Sequence, residues 1–133
     1  MKICVTSMED TIDSDVDPRF GRCKYFLIVD SDTMSFKSIS NESAMASGGA
    51  GIQAAQIVAK AGAEVVITGN IGPNAFQTLS AAGIMVFTGV NGNIKEAVEK
   101  YKKGEMKEIT APNVDSHFGM KRSGGGFGRG REI

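Results

Sequence analysis

The second half of the chain alternates between helix-like and strand-like segments, and this order limits the fold more than any other feature. Three segments have helical spacing of apolar residues, and a glycine suited to a left-handed C-terminal cap follows each of them. Two short apolar segments separate these helices. The predicted order is helix 52–61, strand 64–68, helix 73–82, strand 84–88 and helix 93–103. Such alternation is typical of α/β proteins with parallel strands.

The first half contains three predicted strands, at residues 2–7, 24–30 and 34–40. The connection between the second and third strands is short, so these two form an antiparallel hairpin. Right-handed crossovers make strands one, four and five parallel and place the hairpin on the other side of strand one. We therefore expect a five-stranded mixed sheet in the order 3-2-1-4-5, with strand two antiparallel and helices on both faces.

Composition narrows the class of protein. The chain has 133 residues, enough for one domain with a real core, and its 15 basic and 15 acidic residues cancel. The domain as a whole therefore has no charge pattern for nucleic acid or membranes. No apolar run approaches the roughly 20 residues that span a bilayer. Because the N-terminus leads straight into a strand, we expect a cytoplasmic protein.

The C-terminal segment differs in character from the rest. Residues 121–131 are mostly glycine and arginine, so we expect a domain over residues 1–112 and a flexible tail over 113–133. Arginine–glycine segments can bind RNA without sequence preference, but a solvated basic tail is the favoured interpretation. His117 is the only histidine, and metal sites normally need three or four ligands.

Residues 17–22 concentrate a carboxylate, two guanidiniums and an aromatic ring in one loop. Arg19 and Arg22 can present planar N–H forks to an anion. Alternatively, Asp17 forms a salt bridge that pins the loop while Phe20 fills the core. Function is found on loops more often than on strands, which favours the anion-binding interpretation.

Four polar, glycine-bearing segments follow strands one, three, four and five, and ligands of open α/β sheets bind at such strand ends. We expect these segments to line one rim: residues 17–22, 41–51, 69–74 and 89–93. Gly48 and Gly49 can expose N–H groups at a helix N-terminus, although tight-turn packing explains them equally well. Asn70 and Asn74 can donate side-chain amides, although asparagine beside glycine is also turn chemistry.

The two cysteines have different predicted roles. Cys4 lies in an apolar strand and is expected to be an inert core thiol. Cys23 lies between Arg22 and Lys24, and this basic setting predicts a lowered pKa and a soft metal ligand. Met45 is the only methionine that we place near a soft metal.

Three motifs together resemble the dinitrogenase iron-molybdenum cofactor biosynthesis family, in order over about residues 1–118. They are Asp17-Pro18-Arg19-Phe20-Gly21-Arg22 with Tyr25-Phe26-Leu27-Ile28-Val29-Asp30, Gly48-Gly49-Ala50-Gly51-Ile52-Gln53-Ala54-Ala55, and Val66-Ile67-Thr68-Gly69-Asn70-Ile71-Gly72-Pro73-Asn74-Ala75-Phe76. The resemblance implies a ribonuclease H-like three-layer α/β/α fold. It also implies an anionic iron-molybdenum-sulfur or molybdenum-copper-sulfur cluster as cargo, with cluster donor and acceptor proteins as partners.

The resemblance implies a set of cluster-binding residues at the rim. These are Asp17, Arg19, Phe20, Arg22, Gly48, Gly49, Gly69, Asn70, Gly72 and Asn74, with Cys23 and His117 as candidate metal ligands. Several relatives have tails rich in histidine or cysteine, whereas this tail is rich in arginine and glycine. Binding through charge and hydrogen bonds is therefore favoured over direct ligation of the metal.

The sequence lacks the residue patterns of two kinds of enzyme. A ribonuclease H-like nuclease needs several carboxylates around two metal ions, but strand one carries none and Asp30 is directed to the opposite edge. No serine or cysteine has a histidine base apart from the distant His117. We therefore expect no enzymatic activity. The remaining alternative is an adaptor or regulatory module that binds a small anion or a protein.

Overall fold

The sheet has the predicted strand order. The computed structural model describes residues 1–45, 48–109 and 112. Its strands follow the order β3-β2-β1-β4-β5, and their bounds are β1 Lys2–Ser7, β2 Tyr25–Asp30, β3 Phe36–Ser40, β4 Val65–Ile67 and β5 Met85–Phe87. Strand β2 is antiparallel to β1 and β3, whereas β1, β4 and β5 are parallel. The sheet order and strand directions are therefore confirmed.

Among the residues that the structure describes, three helices cover the two faces of the sheet: α1 Ala50–Lys60, α2 Pro73–Ala81 and α3 Ile94–Lys102. Side chains alternate between the faces of a strand, so the core has two halves. One half packs α1 and α2 against Cys4, Phe26 and Val66, and the other packs α3 against residues such as Val5 and Leu27. The resulting three layers confirm the α/β prediction, whereas the ribonuclease H-like label stays a prediction.

Element boundaries differ from the predictions where local hydrogen bonds compete. Strand β3 begins at Phe36 because Met34 has φ of 62° and donates its N–H to the Asp30 carbonyl oxygen at 2.7 Å. The predicted loop after β1 folds back on the strand, with Ser7 bridging Val16. This return places the next residues beside the end of β1.

The two edges of the sheet differ. Strand β5 receives a bridge from Glu108 to Phe87 and a hydrogen bond from the Ile109 N–H to the Val86 oxygen at 3.0 Å. Strand β3 forms the opposite edge. In the part of the chain with described placement, no helix is long and apolar enough to cross a membrane. The predicted tail over residues 113–133 lies outside the described residues, and the division at residue 112 stays a prediction.

Candidate functional site

The loop over residues 17–22, here called the arginine loop, begins at a buried carboxylate. The Asp17 side chain is 4% exposed, and its Oδ1 accepts a hydrogen bond from the Arg19 N–H at 2.9 Å. The Arg19 Nε lies 3.6 Å from the same oxygen, and the Arg19 side chain is 48% exposed. Asp17 therefore fixes the start of the loop, while much of the Arg19 guanidinium stays open to solvent. The structure contains the salt bridge that the alternative interpretation predicted.

Two threonines anchor the arginine loop to the sheet. The Thr6 hydroxyl donates to the Asp17 carbonyl oxygen at 2.7 Å, and its oxygen lies 2.8 Å from the Thr68 hydroxyl oxygen. Both threonines are fully buried. These contacts join the ends of β1 and β4 to the loop in a region where water cannot replace a lost partner.

The segment after β4 contacts the arginine loop through its backbone. A Cβ atom built on Gly69 would lie 2.7 Å from the Pro18 Cα, so only glycine fits there. The Asn70 N–H and side-chain amide both donate to the Pro18 oxygen, at 2.8 and 3.1 Å. The Asn70 oxygen accepts from the Phe20 N–H at 3.3 Å. Asn70 thus positions the loop.

The other side of the arginine loop packs against the start of α1. A Cβ atom on Gly21 would lie 3.1 Å from the Gly51 Cα, and one on Gly51 would lie 3.2 Å from the Ala75 Cβ. The arginine loop, the first turn of α1 and the first turn of α2 are therefore adjacent. This confirms that the segments after β1, β3 and β4 meet.

The segment after β5 completes the rim. The Gly89 N–H donates to the Gly69 oxygen at 2.8 Å, and the Val16 N–H donates to the Gly92 oxygen at 2.8 Å. All four predicted segments therefore lie along one edge of the sheet.

Of the three helices that begin at the rim, α3 has Asn93 as its N-cap, whereas α1 and α2 begin at glycines. Their N-cap residues are Gly49, with φ of 72°, and Gly72, and neither has a side chain that could cap the helix. The first turns of α1 and α2 contain no acidic residue. The positive end of each helix dipole therefore has no carboxylate from its own first turn. Gly48 is exposed, and a Cβ atom there would meet no heavy atom within 4 Å.

Arg22 connects the arginine loop to the segment after β3. Its Nη1 donates to the Ala44 carbonyl oxygen at 2.9 Å, and the residue is half-buried. In the same segment, the Asn41 side chain donates to the carbonyl oxygens of Gly21 and Cys23. The sequence prediction missed Asn41, because its partners lie 18 and 20 residues away and no local pattern marks them.

The prediction of a lowered pKa for Cys23 is wrong. The side chain is fully buried, and its thiol donates to the Phe20 carbonyl oxygen at 3.3 Å. Burial first, and the nearby Asp17 carboxylate second, raise the pKa of the thiol well above its usual value. Sequence neighbours predicted a basic setting, but burial has the larger effect. Cys23 as a metal ligand stays a prediction, and such ligation requires loss of a strongly held proton.

Cys4 is fully buried in β1, as predicted for an inert core thiol, and burial raises its pKa as well. Phe20 is 2% exposed, and its ring centroid lies 5.8 Å from that of Phe26. The Phe20 side chain therefore fills the core, which the alternative interpretation predicted.

The remaining candidates are scattered. Asn74 is exposed in the first turn of α2, and its carbonyl oxygen accepts from the Thr78 hydroxyl. Met45 is 92% exposed. His117 lies outside the described residues. Within residues 1–45, 48–109 and 112, no three histidine, cysteine or acidic side chains are grouped so that they could hold a metal ion.

Comparison with known proteins identifies the class. The sequence model of the dinitrogenase iron-molybdenum cofactor family matches residues 1–104, so the chain belongs to this family. The apo form of the orange protein from Desulfovibrio gigas is 43% identical and superposes with a TM-score of 0.83, covering 85% of this chain and 96% of that protein.

Two further relatives agree with this assignment. A NifB-like protein from Thermotoga is 32% identical with a TM-score of 0.74, covering 85% of this chain and 97% of that protein. An uncharacterised protein from Methanocaldococcus jannaschii is 29% identical over 97 residues, which are 71% of this chain and 82% of that protein.

Proposed function

We propose that this protein binds an anionic metal–sulfur cluster at the rim and carries it during metallocluster assembly or storage. One observation carries the proposal: the loop that holds Arg19 packs between Gly51 at the start of α1 and Gly69 before α2. A half-exposed guanidinium and two glycine-started helices thus share one edge of the sheet. Membership of the cofactor family supports the same class of ligand.

The chemistry of the rim favours an anion. Arginine N–H groups and helix N-termini both stabilise negative charge, and their effects add where solvent is partly excluded. Asp17 offsets part of the positive charge of Arg19, but its side chain is buried beneath the loop. Arg19 therefore presents donors outward.

The donor set favours binding by hydrogen bonds and charge over direct ligation. Soft metals prefer thiolate ligands, but both thiols are buried and have raised pKa values. A cluster whose sulfides already satisfy the metal can be held through those sulfides alone. An iron-molybdenum-sulfur or a molybdenum-copper-sulfur cluster meets this requirement, and donor and acceptor proteins would load and unload it.

The proposal assigns no catalytic step to the protein. Two-metal nucleases need converging carboxylates. Asp30 pairs with Lys2 at the start of β1, which is the opposite end of the strand from the arginine loop. The protein therefore acts as a carrier.

Two measurements test the proposal. The first is anaerobic purification from the native host, followed by elemental analysis and a visible spectrum. We expect molybdenum with iron or copper, sulfide, and charge-transfer absorption. The second is anaerobic titration of the purified chain with tetrathiomolybdate, with and without Cu(I). A colourless, metal-free protein that takes up neither probe would contradict the carrier function and favour the adaptor.

Variants locate the site. Arg19→Ala removes the exposed guanidinium, and we expect affinity for tetrathiomolybdate to fall about tenfold or more, as for a lost hydrogen bond to a charged group. Lys24→Ala is the matched control, since Lys24 is an exposed cation nearby in sequence. Deletion of residues 121–133 should leave uptake unchanged. Loss of uptake in that truncation alone would contradict the rim as the site.

A further inference from the structure

We propose that Asn41 is a positioning residue that holds the backbone on both sides of Arg22, so that its side chain is placed for ligand binding. This inference rests on the function proposed above. Asn41 is 6% exposed and follows β3 directly. Its Nδ2 donates to the Cys23 carbonyl oxygen at 2.8 Å and to the Gly21 carbonyl oxygen at 3.2 Å. Gly21 and Cys23, the residues that carry these carbonyl groups, are the chain neighbours of Arg22.

The amide of Asn41 is suited to this role because it offers donors and an acceptor together. The two carbonyl oxygens take its N–H groups, while its Oδ1 accepts from the Ser43 N–H at 3.1 Å. The Asn41 N–H itself donates to the Lys24 carbonyl oxygen at 2.9 Å. The side-chain N–H groups therefore join the segment after β3 to Gly21 and Cys23, while Oδ1 stabilises the turn within that segment.

The same short segment also binds the guanidinium of Arg22. The Ala44 N–H donates to the Asn41 carbonyl oxygen at 3.3 Å, which folds residues 41–44 into a turn. The carbonyl oxygen of Ala44 then accepts from the Arg22 Nη1 at 2.9 Å. One turn thus fixes the backbone on both sides of Arg22 and its guanidinium as well.

The direction of Arg22 consequently depends on a residue that does not itself reach the ligand. Gly21, one of the two clamped residues, packs against Gly51 at the start of α1. Releasing the clamp would let the arginine loop move relative to that helix start. We expect a loss of affinity that exceeds what the loss of global stability explains.

The test uses the full chain in four variants: Asn41→Asp, Asn41→Ala, Gln56→Glu and Val98→Ala. An aspartate at position 41 turns an acceptor toward two carbonyl oxygens, and alanine removes the donors without adding charge. Gln56→Glu makes the same change from amide to carboxylate at an exposed position in the second half of α1, away from the start of that helix at the rim. Val98 is a fully buried residue of α3, in the other half of the core from Cys23, so its truncation destabilises the fold away from the clamp.

Binding of tetrathiomolybdate is the first readout. We expect both Asn41 variants to bind about tenfold more weakly, while Gln56→Glu and Val98→Ala stay within about twofold of the unmodified chain. If Val98→Ala, at matched loss of stability, loses as much affinity as Asn41→Ala, Asn41 has only a structural role and the proposal is overturned.

A second readout does not depend on any cluster. The Arg22 side-chain N–H signals and the amide signals of residues 21–23 should shift and exchange faster in the Asn41 variants, but not in Val98→Ala. If these signals are unchanged, the positioning role is wrong even where binding falls. If the unmodified chain binds no tetrathiomolybdate but the signals change as expected, the carrier function fails while the clamp is supported.

Discussion

The two ends of the sheet use similar hydrogen bonds in opposite surroundings. At the rim, the Thr6 and Thr68 hydroxyl oxygens lie 2.8 Å apart and are fully buried. At the other end, the Thr33 and Ser35 hydroxyl oxygens also lie 2.8 Å apart, but both residues are exposed. Water can replace a lost partner only at the exposed end. Burial therefore decides which of the two ends is sensitive to sequence change.

The largest expected effect tests the tightest contact of the rim. Gly69→Ala places a Cβ atom 2.7 Å from the Pro18 Cα, so backbone must move. We expect the free energy of unfolding to fall by about 3 kcal/mol, measured by urea denaturation. Gly83→Ala is the control: φ is 77° there but nothing lies within 4 Å, so backbone strain of about 1 kcal/mol is expected. If Gly69→Ala and Gly83→Ala lower the free energy of unfolding equally, the close approach of Pro18 to Gly69 has no effect on stability and the prediction is wrong.

The paired hydroxyls test burial directly. Thr6→Val leaves the Asp17 carbonyl oxygen and the Thr68 hydroxyl without this partner in the core. We expect a loss of about 2 kcal/mol in the free energy of unfolding. Thr33→Val breaks the exposed pair and should cost less than about 0.5 kcal/mol. If the two variants unfold at the same denaturant concentration, burial does not make the Thr6 pair more important for stability than the Thr33 pair.

The pH dependence of the free energy of unfolding should have opposite directions at the two ends. The rim should lose stability as the pH rises, and the exposed end as the pH falls. The raised pKa of Cys23 means that its stabilising effect is complete below the unfolded thiol value of about 8.5 and is lost as pH rises beyond it. We expect Cys23 to account for about 1 kcal/mol of the loss between pH 7.5 and pH 9.5, in addition to the loss from Cys4, whose pKa is also raised by burial. Chemical denaturation at both values checks this, and Cys23→Ala should lose less over the same interval.

At the exposed end, backbone N–H groups of Asp32 and Thr33 lower the pKa of Asp30. The stabilising effect of Asp30 is therefore present at neutral pH and is lost as pH falls through that lowered value. An Asp30→Asn variant should flatten the acid side of the stability profile. If Asp30→Asn loses as much stability at low pH as the unmodified chain, protonation of Asp30 does not contribute to that loss.

The smallest expected effect concerns the exposed ion pair. The Met1 amino group lies 3.8 Å from the Asp32 Oδ2, and the two side chains are 41% and 84% exposed. Solvated pairs contribute little, so Asp32→Asn should change the free energy of unfolding by less than about 0.5 kcal/mol. A loss comparable to that of Thr6→Val would remove the contrast between the two ends.

The sequence predicted the fold well because its signals are local. Helical spacing, closing glycines and a short hairpin connection determine the strand order without any knowledge of distant contacts. Met34 shows the limit of such signals, since its left-handed conformation shortens β3 in a way that its side chain does not reveal.

The site was predictable in position but not in detail. Strand order places the four segments on one rim, as found. The carbonyl oxygen that Arg22 contacts, however, lies 22 residues along the chain, and Cys23 is buried by packing with residues of α1 and α2. Charge next to Cys23 in sequence gave the wrong direction for its pKa, because three-dimensional burial outweighs sequence neighbours.

The contacts from Gly21 to Gly51 and on to Ala75 make the width of the rim a shared property of three segments. A methyl group added at Gly21 or Gly51 would displace a helix and the loop together. The effects of substitutions at Gly21 and Gly51 on the free energy of unfolding should therefore be non-additive. Under the proposed carrier function, a version adapted to a larger or smaller cluster would have to change several of these residues at once, so size selectivity would evolve in steps instead of gradually.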